Sequence, residues 1–87
     1  IFYNRKKRGV IYILVAHYEE ELAGDEILRK LNKMKYQLKS KTFRGNLTEM
    51  TIELVCKNQN TLFLEQMKEI KGVKDVTLIQ YNGEYHG

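Results

Sequence analysis

Few side chains in this sequence could perform catalysis, and they are scattered along the chain. The histidines are His17 and His86, and the single cysteine is Cys56. A nucleophilic cysteine needs a base beside it and a partly exposed, electropositive setting. Cys56 falls instead on the inward set of residues of a predicted strand, where cysteine behaves as a small hydrophobic residue. We therefore predict no catalytic residue, no cofactor and no enzyme activity.

A cluster of carboxylates follows the first predicted strand. It consists of Glu19, Glu20, Glu21, Asp25 and Glu26. Carboxylates bind hard cations, but this spacing matches no calcium-binding loop, and we predict no metal site. A solvated loop with acidic residues at the positive end of a helix dipole is the simpler interpretation. We keep one candidate ligand loop for a small-molecule effector, comprising Glu19, Glu20, Glu21, Gly24 and Asp25. Gly24 would either serve that ligand site or simply allow the turn.

The positive charge is concentrated near the start of the chain. The formal net charge is +4, and four adjacent residues, Arg5, Lys6, Lys7 and Arg8, account for all of it. A nucleic-acid-binding protein usually spreads its basic residues over a face of the fold, so we predict no nucleic-acid partner.

Residues 1–9 combine apolar and aromatic side chains with this basic block, which is typical of the cytosolic end of a transmembrane helix. The chain begins at Ile1 without a signal-peptide pattern, and we expect it to be part of a longer protein. We predict that residues 1–9 are a juxtamembrane segment, with the four cations as the candidate membrane-surface contact. A solvated basic arm is the alternative.

The rest of the sequence alternates between strand and helix patterns. β-branched and aromatic residues predict strands over 10–18, 36–44, 47–56 and 73–81. Apolar residues at helical spacing predict helices over 25–34 and 61–70. Gly45 and Asn46 predict a hairpin turn, and Gly72 is expected to end the second helix.

This order, βαββαβ, predicts an α+β, ferredoxin-like sandwich, in which two helices cover one face of a four-stranded antiparallel sheet. We place the domain at residues 10–82 and treat residues 83–87 as a polar tail.

The first and last predicted strands are apolar on both alternating sets of residues, and they are neighbours in this fold. Since the helices cover one face, the other face would show Ile11, Ile13 and Val15 beside Ile79 and Tyr81, or the complementary sets. An uncovered apolar patch usually marks an interface. We predict self-association or contact with the transmembrane region of the parent protein. Alternatively, residues 1–9 and the tail fold over this face.

Two segments of the second half carry a resemblance to a known type of domain. They read GNLTEMTIELVCK from Gly45 to Lys57 and EIKGVKDVTLIQY from Glu69 to Tyr81. They resemble the C-terminal cytosolic, ACT-like domain of bacterial multi-pass membrane proteins, an uncharacterised group, with a layout similar to the MgtC/SapB type. The resemblance implies a location on the cytoplasmic side of the membrane and a regulatory role. It carries over no catalytic residue.

Two other families with this element order fit the sequence poorly. Acylphosphatases resemble one another through a glycine-rich phosphate loop after the first strand, where this chain has Tyr18 and three glutamates. RNA-recognition domains stack bases on exposed aromatic rings of the third strand, where Glu49 and Glu53 point outward here. We predict a non-catalytic regulatory or assembly domain. The alternatives are a nucleic-acid-binding module that uses the basic N-terminal segment, and a small free-standing enzyme.

Overall fold

The computed structural model describes residues 10–56 and 62–81. These residues form four strands and two helices: β1 (Val10–Tyr18), α1 (Glu21–Lys30), β2 (Lys35–Arg44), β3 (Leu47–Cys56), α2 (Leu62–Lys68) and β4 (Val73–Gln80). The strands make one antiparallel sheet in the order β2-β3-β1-β4. The predicted α+β, ferredoxin-like fold is confirmed.

The two central strands carry most of the sheet's buried side chains. β1 and β3 pair along their whole length, from Val10 opposite Cys56 to Tyr18 opposite Thr48. Side chains alternate between the two sides of a strand, and every second residue of β3 is buried. The same alternation holds from Tyr12 to Tyr18 in β1. The buried rows face the helices, and we call this side of the sheet the inner face.

Both helices place one apolar stripe on the inner face. The stripe of α1 consists of Ala23, Ile27 and the C-cap residue Leu31. The stripe of α2 consists of Phe63 and Met67. Their spacing of four residues keeps them on one side of each helix. α1 packs against β1, and α2 packs against β4. Each fully buried large side chain contributes about 1.5–3 kcal/mol by leaving water.

The first helix begins earlier than the sequence pattern predicts. It starts at Glu21 rather than Asp25, and Glu20 is an extended N-cap without a side-chain cap hydrogen bond. Gly24, which is typical of a loop, lies inside the helix and is buried. The prediction of a loop here was wrong because the glycine serves helix packing. The second helix is also shorter than predicted, ending at Lys68.

β2 is an edge strand with all ten residues exposed. Its register against β3 shifts between Leu38 and Ser40, which is a β-bulge. Strict alternation along β2 would place Ser40 and Thr42 on the same side as Tyr36 and Leu38, but the alternation fails beyond the bulge. Lys41 and Phe43 take that side instead, because they pair with Met50 and Thr48 of the buried row of β3.

Candidate functional site

The side of the sheet away from the helices, which we call the outer face, carries a strip of apolar side chains. Ile13 lies opposite Ile79 of β4, and Val15 lies opposite Thr77. Ile11 pairs with Val55 of β3. Tyr81 follows β4, and its backbone N–H donates to the carbonyl of Ile11 at 2.8 Å. The structure thus places the predicted interface residues of β1 and β4 beside one another.

This apolar strip is open to solvent in the part of the chain that the structure describes. Ile79 is 51% exposed, and the three apolar residues of β1 are partly exposed. Neither α1 nor α2 lies over the outer face, since both pack into the core on the inner face. The sandwich therefore has a two-layer architecture with one apolar sheet surface left over.

A row of polar side chains crosses the outer face at one end of the strip, with one member from each strand. We call Arg44, Glu49, His17 and Asp75 the polar row. His17 Nδ1 lies 2.6 Å from Asp75 Oδ1, and His17 Nε2 lies 3.8 Å from Glu49 Oε1. Arg44 Nη2 lies 4.0 Å from the same glutamate oxygen. The imidazole is therefore held between carboxylates of both neighbouring strands.

Cys56 lies away from the polar row. Cys56 pairs with Val10 at the far end of β1, so it cannot form a pair with His17, which lies opposite Glu49. Burial raises the pKa of the Cys56 thiol, which keeps it in the less reactive protonated form. Among the described residues, no group of three histidine, cysteine or carboxylate side chains is arranged to hold a metal ion.

Sequence reasoning missed the polar row. The alternation of each strand places His17 on the same side as Val15, and Asp75 on the same side as Ile79. This placement on one side of each strand is all that the local sequence indicates about the polar row. The contact itself depends on the register between β1 and β4, which brings His17 opposite Asp75 across 58 residues of sequence.

The candidate ligand loop is mostly not a loop. Glu19 and Glu20 connect β1 to α1, while Glu21, Gly24 and Asp25 belong to the helix. The backbone N–H of Glu19 donates to the carbonyl of Gly72 at 2.9 Å, and its carboxylate lies 3.7 Å from Lys74 Nζ. These contacts join the end of β1 to the turn before β4.

Glu20 and Glu26 of this acidic segment also have structural contacts. Gly72 has a φ of +96°, and the side chain of Glu20 lies against it. Glu26 pairs with Arg29 one turn along α1, at 2.8 Å. The carboxylates are thus divided between a strand junction and an exposed helix surface rather than gathered around one point.

The candidate membrane-surface residues Arg5, Lys6, Lys7 and Arg8 lie outside the described residues, as does the polar tail. None of the described helices has the length and apolar character that would let it cross a bilayer. Between α1 and α2 there is a shallow groove of mixed charge, lined by Glu26, Lys30, Gln66, Glu69, Ile70 and Lys71. It lacks the enclosed apolar walls of a usual ligand pocket.

The backbone is similar to that of a solved structure. The crystal structure of the ACT domain from GTP pyrophosphokinase of Chlorobium tepidum superimposes with a TM-score of 0.60 at 12% sequence identity. The superposition covers 83% of this chain and 99% of that one. At this identity the likeness establishes the fold, which is ACT-like. No protein-family profile and no curated protein matches the chain in sequence.

Proposed function

We propose that this chain is a non-catalytic regulatory or assembly domain that pairs with a second copy through its outer face. The observation that carries the proposal is the apolar strip, in which Ile11, Ile13 and Val15 lie beside Ile79 on a sheet surface that no described helix covers. Contiguous apolar patches of this kind usually mark an interface in a soluble domain.

The position of the strip favours symmetric pairing. A two-fold interface uses the same patch on both copies, so each residue contacts its counterpart's neighbours. β1 is an inner strand of the sheet, and a two-fold axis near Ile13 would let the strips of two copies cover each other. Sheets packed face to face lie about 10 Å apart, a distance that interdigitating isoleucine and valine side chains fill. The polar row would then lie at the rim.

A small-molecule effector belongs to the proposal. The ACT-like fold supports a ligand-responsive role, and the exposed carboxylates of Glu20, Glu21 and Asp25 would suit an amine-bearing ligand. Such a ligand would favour one pairing of the domains only to the extent that it binds that pairing more tightly. Amide chemical shifts of residues 19–25, followed as free amino acids are added, test this part. Unchanged shifts with all of them would remove the effector from the proposal.

The membrane attachment rests on residues 1–9. We infer that they connect the domain to the transmembrane region of a larger bacterial membrane protein, on its cytoplasmic side, because aromatic residues followed by cations suit a membrane exit. Flotation of the chain with vesicles that contain phosphatidylserine tests the contact. Binding should disappear when Arg5, Lys6, Lys7 and Arg8 are all replaced by glutamine. Equal flotation of that variant would contradict the attachment.

The pairing itself is tested by sedimentation velocity of the full chain over a range of concentrations. The wild-type chain should form dimers, and Ile79→Glu should weaken dimerisation by tenfold or more, because an unpaired carboxylate is costly to bury. Leu22→Glu is the matched control, because Leu22 is an exposed leucine of α1, away from the outer face. It should dimerise like the wild type. A monomer at every concentration, or equal weakening by both variants, would refute pairing through this face.

A further inference from the structure

The exposed edge strand β2 differs from the rest of the domain in its charge. Its ten residues include Lys35, Lys39, Lys41 and Arg44 but no carboxylate. Elsewhere in the described residues, positive and negative side chains are interspersed. The segment from Glu19 to Glu26 carries only negative ones. β2 is therefore a positively charged edge of a domain whose described residues carry no net excess of cations.

Two of these cations are only weakly neutralised by β3, and the other two lack a carboxylate partner. Lys39 Nζ lies 3.6 Å from Glu53, and the distance from Arg44 to Glu49 is 4.0 Å. Exposed pairs of this kind contribute little. Lys35 and Lys41 have no carboxylate within ion-pair distance among the described residues, and Lys41 Nζ lies 5.7 Å from the centre of the Phe43 ring. The edge retains much of its positive charge.

The inner side of the same strand is apolar and exposed. Tyr36, Leu38 and Phe43, which we call the β2 apolar row, point to the side of the sheet that carries the helices. The helices pack against β1 and β4 and leave this row open, so that Phe43 remains 68% exposed. β2 thus presents Lys35, Lys39 and Arg44 toward the outer side of the sheet, whereas Lys41 shares the inner side with the β2 apolar row.

The backbone of β2 is also available for pairing. β3 is its neighbour on one side, and no described strand lies on the other. An edge strand of this kind presents a row of unpaired N–H and C=O groups that can pair with another extended chain. A second copy of β2 is a poor partner. In the symmetric antiparallel register Lys35 would lie opposite Arg44, and like charges opposite each other destabilise a strand pair.

We propose that the β2 edge binds an extended acidic peptide segment, which adds to the sheet as a further strand. Since side chains alternate along a strand, the segment that fits has carboxylates at every second position and apolar residues between them. Its carboxylates would lie beside Lys35, Lys39 and Arg44, and its apolar residues beside the β2 apolar row. The bulge at Lys39 breaks the alternation of β2, so a regular segment matches one half of the strand at a time. This edge is separate from the outer face.

Fluorescence anisotropy with the full chain and a labelled nine-residue peptide of alternating glutamate and valine tests the proposal. The peptide should bind, and the amide shifts it causes should concentrate in Lys35–Arg44. The double substitution Lys35→Glu and Lys39→Glu should weaken binding roughly tenfold, since it reverses two cations that would lie beside the peptide's carboxylates. Lys30→Glu with Lys33→Glu is the control, because both lysines are exposed and the change in net charge is identical. It should alter the affinity by less than about twofold.

Two further peptides separate strand addition from simple charge attraction. One has the same composition with the glutamates grouped at one end, and the other carries N-methyl groups on alternate residues and so cannot form the ladder of hydrogen bonds. Both should bind much more weakly. The proposal is overturned if either binds as well as the alternating peptide, if no peptide binds, or if the shifts map to Ile13 and Ile79. Tighter binding of a single-stranded oligonucleotide at β2 would overturn it in favour of a nucleic-acid site, in which Tyr36 and Phe43 stack on bases.

Discussion

At the scale of single residues, Tyr18 and Gly24 determine how closely α1 approaches the sheet. Tyr18 is the last residue of β1 and is almost fully buried, with its Oη 4.0 Å from Met50 Sδ. A Cβ atom built on Gly24 would lie 2.5 Å from that Oη and 2.7 Å from Cζ of the ring. Real Cβ atoms do not approach other heavy atoms so closely. The glycine therefore provides the space that the tyrosine ring fills.

Replacement of Gly24 by alanine should consequently destabilise the domain, although the same change stabilises most helices by about 1 kcal/mol. We expect a loss of about 1–3 kcal/mol, because an extra methyl group in a packed core forces neighbouring atoms to shift. Urea unfolding followed by circular dichroism measures it.

Asp25→Ala is the control for this prediction, since Asp25 is exposed on the same helix turn. It should change stability by less than about 0.5 kcal/mol. Tyr18→Phe should relieve part of the loss by removing the nearest atom. Stabilisation by Gly24→Ala would show that the ring moves without cost, contrary to this interpretation.

At the scale of secondary-structure elements, the inner and edge strands differ sharply in how much they stabilise the fold. Leu38 of β2 and Ile52 of β3 lie directly opposite each other. Ile52 is completely buried, whereas Leu38 is 44% exposed. The pair compares two aliphatic side chains of equal size on adjacent strands, with burial as the principal difference.

We expect Ile52→Ala to cost about 2–5 kcal/mol, the usual range for a large aliphatic core residue. Leu38→Ala should cost less than about 1 kcal/mol, because much of the leucine side chain is already in water. Thermal and urea denaturation of both variants would provide the comparison. Similar costs would mean that the β2 apolar row is covered in solution, by the chain itself or by another copy.

The elements also show what local sequence can and cannot predict. The bounds of β1 and β3 were predicted correctly, because β1 is one continuous apolar run and the apolar alternation of β3 is unbroken. The start of α1 was not, since Gly24 is typical of a loop, and only the packed ring of Tyr18 explains a glycine inside the helix. The bulge in β2 has no local signature, and it reverses the sides of Ser40 and Thr42.

The candidate site was predictable to a similar degree. Alternation placed Ile11, Ile13 and Val15 on one side of β1, and the fold made β4 their neighbour. The contact between His17 and Asp75 could not be predicted, since it depends on a register between distant strands.

At the scale of the whole molecule, one sheet presents three different surfaces. Its inner face forms the core, its outer face carries the apolar strip, and its β2 edge carries the cations. The two proposals use different surfaces, so a variant that blocks pairing should leave peptide binding intact. Ile79→Glu and the double substitution at Lys35 and Lys39 make this separation measurable with the same preparations.

The stability of the whole domain should also depend on the ionisation of Cys56 in alkaline solution. Burial raises the pKa of its thiol, so the folded chain keeps this proton at a pH where the unfolded chain has released it. The stabilisation is fully present below the ordinary thiol pKa of about 8.5, and it is lost as the pH rises through the higher pKa of the folded state.

The free energy of unfolding, measured by urea titration between neutral and alkaline pH, should therefore fall more steeply for the wild type than for Cys56→Ala. The pH dependence of the unfolding free energy is compared between the two chains. The loss of stability caused by the alanine itself does not vary with pH, and the titration of tyrosines and lysines is common to both chains, so neither affects the comparison. Parallel slopes would indicate that the thiol is hydrated in the folded state.

The bulge between Leu38 and Ser40 has a consequence for the behaviour of many copies together. A long, flat edge strand with exposed apolar residues is a template on which identical chains can stack without limit, as in amyloid fibres. The extra residue twists β2 and interrupts its regular row of backbone groups, and the cations on either side repel a second edge. The bulge therefore opposes the stacking of identical chains on the β2 edge. A short acidic segment, as proposed above, could still bind there.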